Sequence, residues 1–457
     1  MATPQAFIAA TRFGLGAKRD DFALLSSDPR GWLEVQLDAR YLAAPPLADA
    51  RSTMETIRLW REKKMEMREE KRAAKESPEQ IQEKLKGALM ELRQDYIAQV
   101  AARTRAMANA PAPFIERLVQ FWSNHFTVST TKKQDTALAI LFERDAIRPH
   151  VLGNFHDMLR ASTRHPAMQV YLDNARSIGP DSPAGRFKGK GLNENLAREI
   201  LELHTLGVQG GYTQKDVTEF AKILTGWTVD ADGRGDGSGF FFARLLHQPG
   251  SKTLLGDTYR EDGVHEGERA LSAFASHPST AKFVATKLAR HFIADDPPPG
   301  AVDRLAAAFR RYNGDLVAVY RTLISLDEAW QNPLAKVKTP NDLILSILRA
   351  TGVAAETDDK TIARAYRMLN QLPFSAPSPA GWSDKGKDWI GAEALLQRID
   401  LARFAARGVH PRFNPATLLE DTIGPVASPE TRFAVTRAGS AEEGIALLFA
   451  SPEFQRR

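Results

Sequence analysis

The run Asn193-Glu194-Asn195-Leu196-Ala197-Arg198-Glu199-Ile200-Leu201-Glu202-Leu203-His204-Thr205-Leu206-Gly207 holds the two side chains whose placement points most directly to chemistry. At 100° per residue, Leu196, Ala197, Ile200, Leu201, Leu203 and Leu206 share one apolar arc. Glu199 and His204 project within that arc, whereas Glu194, Asn195, Arg198 and Glu202 fall outside it. A carboxyl held among apolar groups without a partner resists ionisation, so its pKa rises and it can act as a general acid near neutrality. Glu199 is read as that acid, His204 as a second proton-transfer group, and Asp173, at the end of the apolar run 168–172, as the second carboxylate. The competing readings are an ion pair from Glu199 to a buried arginine, a hydrogen-bonded core histidine and a simple turn at Asp173-Asn174.

Upstream lies Gly185-Arg186-Phe187-Lys188-Gly189-Lys190-Gly191-Leu192, a basic glycine-rich loop running to a helix that Asn193 caps. Free N–H groups at such an end, with Arg186, Lys188 and Lys190 beside them, suit an anion. The stretch is no phosphate-binding P-loop, because its Gly-Lys is followed by Gly191. His247 and Lys252 bracket the turn Gln248-Pro249-Gly250-Ser251, where they reach one ligand together or face solvent. Trp382, in a Pro/Ser/Gly-rich stretch over 373–387, and Trp389 just after it offer flat faces for a sugar or fill a core gap. His125 shares a face with Phe114, Leu118 and Phe121 and reads as a core histidine.

Cysteine is absent, which excludes disulfides, thiolate metal sites and a cysteine nucleophile. Any metal would fall to His, Asp and Glu, and a metal enzyme built on His125, His204 and Glu199 is the third functional reading. No His-Glu-x-x-His, Gly-x-Ser-x-Gly or dinucleotide glycine fingerprint occurs, so no metal ligand is assigned and the cofactor is unknown. The loop over 230–239 has Asp230, Asp232 and Gly235 but Arg234 and Phe241 where a calcium loop needs oxygen ligands, which excludes an EF-hand.

These residues must be positioned by helices. Asp28-Pro29, Ser77-Pro78 and Thr339-Pro340 each place a cap before a first-turn proline, Thr213 and Asp216 form a capping box, and Gly352 is a helix stop. Residues 55–108 read as two long, charge-laced helices broken at Ser77-Pro78. The only clear strand signals, 240–247 and 252–255, flank the Pro-Gly turn. The fold class is mainly α, a large multi-helix domain with a small β-hairpin insertion. Its regions are a helical 1–110, a core 111–230 that carries the motifs, the loop and hairpin 231–262 and a helical 263–457, read together as one integrated domain.

The 457 residues are 43% apolar and 26% charged, an ordinary globular composition. A net charge of +5 is too small an excess to imply nucleic acid. No stretch reaches the roughly 20 apolar residues a spanning helix needs, so no membrane insertion is expected. The N-terminus lacks a basic and an apolar signal region, and the expected location is cytoplasmic.

Several longer motifs carry a resemblance. They include Arg12-Phe13-Gly14-Leu15-Gly16, Phe121-Trp122-Ser123-Asn124-His125-Phe126, the run from Asn193 to Val208, Gly210-Gly211-Tyr212-Thr213-Gln214 and Leu224-Thr225-Gly226-Trp227. They continue through His247 with Lys252-Thr253-Leu254-Leu255-Gly256, Lys287-Leu288-Ala289, Asp295-Asp296-Pro297-Pro298 and Lys336-Val337-Lys338-Thr339-Pro340. The chain closely resembles the bacterial domain-of-unknown-function family 1800 over nearly its whole length. The resemblance implies one mostly helical domain and brings no established reaction. It implies a partner, a phosphatase- or sulfatase-like protein of family 1501 that carries an export signal, and hence periplasmic location by co-export as an alternative. Gln248 stands where the family pattern has Asp, which weakens an acid role there.

Two functions follow as expectations: a hydrolase acting on a glycan or other anionic polymer, with Glu199 as general acid, or a non-catalytic accessory protein for the family 1501 partner.

Overall fold

The computed structural model describes residues 3–42, 51–73, 78–130, 138–188 and 191–457. Among them helix dominates, and strand is confined to two antiparallel hairpins. The elements that matter for the site are α1 (Thr53–Ala73), α2 (Pro78–Asn109), α3 (Pro113–His125), α4 (Asn195–Glu199), α5 (Gln214–Leu224), α6 (Val264–Ser276), α7 (Pro278–Phe292), α8 (Pro340–Thr351), α9 (Asp359–Met368) and α10 (Ala392–Val409).

Local signals set many of these boundaries. Thr339 and Asp342 exchange capping bonds ahead of α8, with Pro340 at the first helical position, and Gly352 ends the helix at φ +65°. Thr213 and Asp216 do the same for α5. α2 begins at Pro78, as the proline predicts; Ser77 itself lies outside the described residues.

Strand pairing differs from the expected hairpin across 240–255. β1 (Trp227–Val229) pairs with β2 (Phe240–Phe242), and β3 (Lys252–Leu254) pairs with β4 (Asp257–Tyr259). The first turn is the Asp/Gly loop, in which Asp230 accepts the N–H groups of Arg234 and Gly235 at 2.9 and 2.8 Å. The second is the two-residue turn Leu255-Gly256, both at positive φ (51° and 87°), a geometry matched to strand twist. The Pro-Gly turn links the two hairpins instead of closing one.

Among the described residues three helical segments widen into π turns: Ala9–Phe13, Glu143–Ile147 and Ile200–His204. Each carries a buried polar side chain, Arg12, Glu143 and His204 respectively. One apolar cluster runs from Ala6 to Phe454. At its centre Phe13 stacks on Phe292 and Trp330 with ring centres 5.5 and 5.2 Å apart, and Trp122 Nε1 donates to Tyr320 Oη at 2.6 Å. Among the described residues no helix is long and apolar enough to cross a membrane.

Candidate active site

On the flank of this aromatic core, α3, α7, the start of α8 and the loop 373–391 line a half-open cavity of about 100 Å³. Its wall includes Ser123, Asn124, His291, Asp342, Trp382 and Asp384.

The loop is held down at many points, although its composition suggests freedom. Asn124 spends its whole amide on one residue: Oδ1 accepts Trp382 N–H at 2.7 Å, and Nδ2 donates to Trp382 O at 2.8 Å. That approach requires Gly381, which sits at φ +80°, where a Cβ would lie 2.5 Å from the Asn124 carbonyl oxygen. Farther along, Lys336 Nζ donates to Asp384 O at 2.5 Å and Gly386 N–H to Asp295 Oδ2 at 2.6 Å.

These clamps deliver Asp384 to His291. His291 Nδ1 lies 2.7 Å from Asp384 Oδ1, while Nε2 has no hydrogen-bond partner among the described residues. His291 is only 8% exposed and packs edge-on against Phe121, ring centres 5.4 Å apart. Burial pushes its pKa down to about 4 against the pull of Asp384. Burial alone would raise the Asp384 carboxyl, but His291, Lys287 and Lys336 hold it at about 2. At neutral pH the pair is therefore a neutral imidazole donating from Nδ1 to a carboxylate, with the Nε2 lone pair buried and without a hydrogen bond among the described residues. Lys287, one turn earlier on α7 and half-buried, is lowered by burial to about 8.

The rest of the wall is braced. Asp342 takes Arg117 at 2.9 Å and Arg457 at 3.2 Å, so it stays ionised despite burial. Arg103 is locked on Glu143 at 2.7 Å, which also accepts Ser123 Oγ at 2.9 Å.

The residues singled out from sequence are dispersed. Trp382 lines this cavity, half-buried, its ring centre 5.9 Å from that of Trp389. Glu199 does not line it. It is half-buried rather than fully inward, because the π turn after it breaks the 100° phasing on which the arc was drawn. Burial and Glu202 raise its pKa. Asp173 is half-buried at φ 58° and lies before the turn Asn174–Arg176, and it too is absent from the wall. His204 is buried as expected. Its Nε2 is unpartnered among the described residues, its carbonyl accepts from His125 Nε2 at 3.0 Å, and burial lowers its pKa to about 3. Among the described residues no group of three His, Asp or Glu converges as a metal site.

The expected glycine-rich loop is partly helix, Pro183–Lys188, with Arg186 exposed. The Lys188 side chain and Lys190 lie outside the described residues. The next helix begins at Asn195, whose N–H is taken by Asn193 Oδ1 at 2.9 Å. His247 and Lys252 do meet, but on Glu266: His247 Nε2 is 3.0 Å from Oε1 and Lys252 Nζ is 2.9 Å from Oε2. All three are buried.

Sequence reasoning missed His291, Asp384 and Glu266. His291 follows Val284 and Leu288 on an ordinary apolar stripe, and Asp384 is 93 residues away. The available signal was a Trp-Ser-Asp in a loop too polar to be core filler. The cavity gathers segments that the family motifs single out: Ser123 and Asn124 of the Phe-Trp-Ser-Asn run, and Thr339. The family profile described as protein of unknown function (DUF1800) matches residues 8–456.

The chain belongs to the DUF1800 family. No curated protein and no solved structure matches it. The functional case for this DUF1800 chain therefore rests on its own geometry.

Proposed function

We propose that this DUF1800 protein is a hydrolase that works at the His291–Asp384 cavity on a glycan. The observation that carries the reading is the buried imidazole beside a cavity, held at Nδ1 by Asp384 at 2.7 Å and unused at Nε2. A group so arranged accepts a proton from water. The cavity holds about three waters at ~30 Å³ each, room for the attacking water and the reacting group. The remaining sugar units would lie at the mouth along Trp382 and Trp389. The wall's cation Arg103 is already paired with Glu143, which favours a neutral substrate over an anionic polymer. As the water oxygen adds to the anomeric carbon, its proton passes to His291 Nε2. The glycosidic C–O bond breaks, and the leaving oxygen takes up a proton from water at the cavity mouth.

The test is release of reducing ends from a panel of oligosaccharides. His291→Gln and Asp384→Asn are expected to lose about 10²–10⁴-fold of the wild-type rate, and Glu199→Gln to lose little. A wild-type rate retained in His291→Gln sinks the assignment; loss only in Glu199→Gln returns the acid role to that residue.

The accessory reading has its own support in a run of exposed apolar side chains on α10, Leu395 at 46%, Leu396 at 64% and Ile399 at 45%. It predicts a complex with a family 1501 phosphatase-like protein that Leu396→Glu weakens at least tenfold, read by sedimentation of the mixed proteins. No complex with wild-type protein would remove this reading.

A further inference from the structure

A second cavity, of about 640 Å³, opens between α8, α9 and α10. It is within the range of volumes that hold small organic ligands. It shares no wall residue with the His291 cavity, so its role stands or falls separately.

The floor is apolar: Ile344, Leu348, Ile362, Leu401, Phe404 and Val409. Its polar wall groups are almost all engaged within the protein. Thr351 and Thr357 donate to the carbonyls of Ile347 and Val353 at 2.8 and 2.9 Å, and Thr361 donates to Asp358 at 2.6 Å. Arg412 pairs with Glu356 at 2.5 Å, and Arg407 with Glu442 at 3.2 Å. The exception is Arg364. Its guanidinium stands 4.6 Å from the Phe404 ring centre, and it has no ion pair among the described residues. An apolar chamber with an exposed guanidinium at its edge, stacked on Phe404 and without a carboxylate partner among the described residues, is complementary to an apolar body with one anionic head.

We infer that this cavity binds an amphiphilic carboxylate, a medium-chain fatty acid or a compound of like chemistry, with its chain on the Leu348–Phe404 floor and its carboxylate on Arg364. Neither a polar metabolite nor a polyanion suits it, since the floor offers no hydrogen bonds and the other two arginines are neutralised by their own carboxylates.

Gly408, exposed at the rim, gives a way to crowd the mouth of the chamber without threatening the fold. It lines the cavity inside α10, and a Cβ added there meets no atom within 4 Å. Replacing a helical glycine also favours the helix.

The experiment titrates the full chain with decanoate and, in parallel, 1-decanol, by calorimetry and thermal shift. Decanoate is expected to bind saturably at one site, with 1-decanol about fivefold weaker. Arg364→Gln should bring decanoate down to the level of the alcohol, and Gly408→Phe should abolish binding of both while the protein melts no lower than wild type. Non-saturable uptake, undiminished binding in Gly408→Phe, or equal affinity of acid and alcohol in the wild type would overturn the inference.

Discussion

Two buried histidine–carboxylate pairs in this molecule use the same residue types to different ends. At the β-hairpins, His247 and Lys252 converge on Glu266, and every polar atom has a use. His247 Nδ1 meets the Thr225 carbonyl at 2.8 Å, Nε2 meets Glu266, and Glu266 Oε1 also takes Asp262 N–H at 2.9 Å. At the loop 373–391, His291 is held on one nitrogen only, and a cavity adjoins it. The first cluster is closed and serves to pin the hairpins to α6. The second leaves a lone pair idle at a buried position, which costs stability unless something is to occupy it. What separates a brace from a candidate site is thus the unfilled valence and the space beside it, not the identity of the side chains.

That contrast can be broken by experiment. The largest effect belongs to the closed cluster: Glu266→Ala strands Lys252 and His247 without their carboxylate and should cost about 3–5 kcal/mol in urea unfolding. A loss below about 1 kcal/mol would mean the cluster is not the brace described. Next comes pH. The folded chain holds His291 at about 4 against an ordinary 6.5. Between those values the unfolded chain binds the proton and the folded chain does not, so stability falls as pH drops from 6.5 to 4 and this contribution levels below 4. At about 1.4 kcal/mol per pH step the loss attributable to His291 is about 3 kcal/mol, and it should be absent from the same titration of His291→Gln. A variant whose acid sensitivity matches wild type would contradict the neutral buried imidazole. The smallest effect is on stability at pH 7, where His291→Gln should cost about 1 kcal/mol or less, far below the cost of Glu266→Ala. Equal costs would erase the distinction between the two regions.

Much of the scaffold could be read from single residues. Thr339-Pro340, the Thr213 box and Gly352 act through bonds to their own neighbours, so their meaning is local and survives folding. Trp382, chosen for its setting in a polar loop, lines the cavity. The failures are non-local or depend on an irregular helix. Glu199 was phased on an ideal helix that a π turn interrupts at Ile200. The hairpin register was assigned to Pro249-Gly250, when Leu255 takes a left-handed conformation that a leucine does not advertise. His291 and Asp384 have no sequence relation at all; clamps such as those from Asn124, Lys336 and Asp295 bring the loop to α7.

The aromatic wedge of Phe121 separates two histidines that are both neutral yet are not equivalent. His125 must carry its proton on Nε2, because the His204 carbonyl opposite it can only accept. His291 carries its proton on Nδ1, facing Asp384. Two opposite imidazole tautomers are thereby fixed within one helical neighbourhood, each by an acceptor that cannot rotate away. In magnetic-resonance terms their ring nitrogens form mirror-image pairs, pyrrole-like where the other is pyridine-like, so the protein carries its own internal reference for the protonation state of the nitrogen that matters.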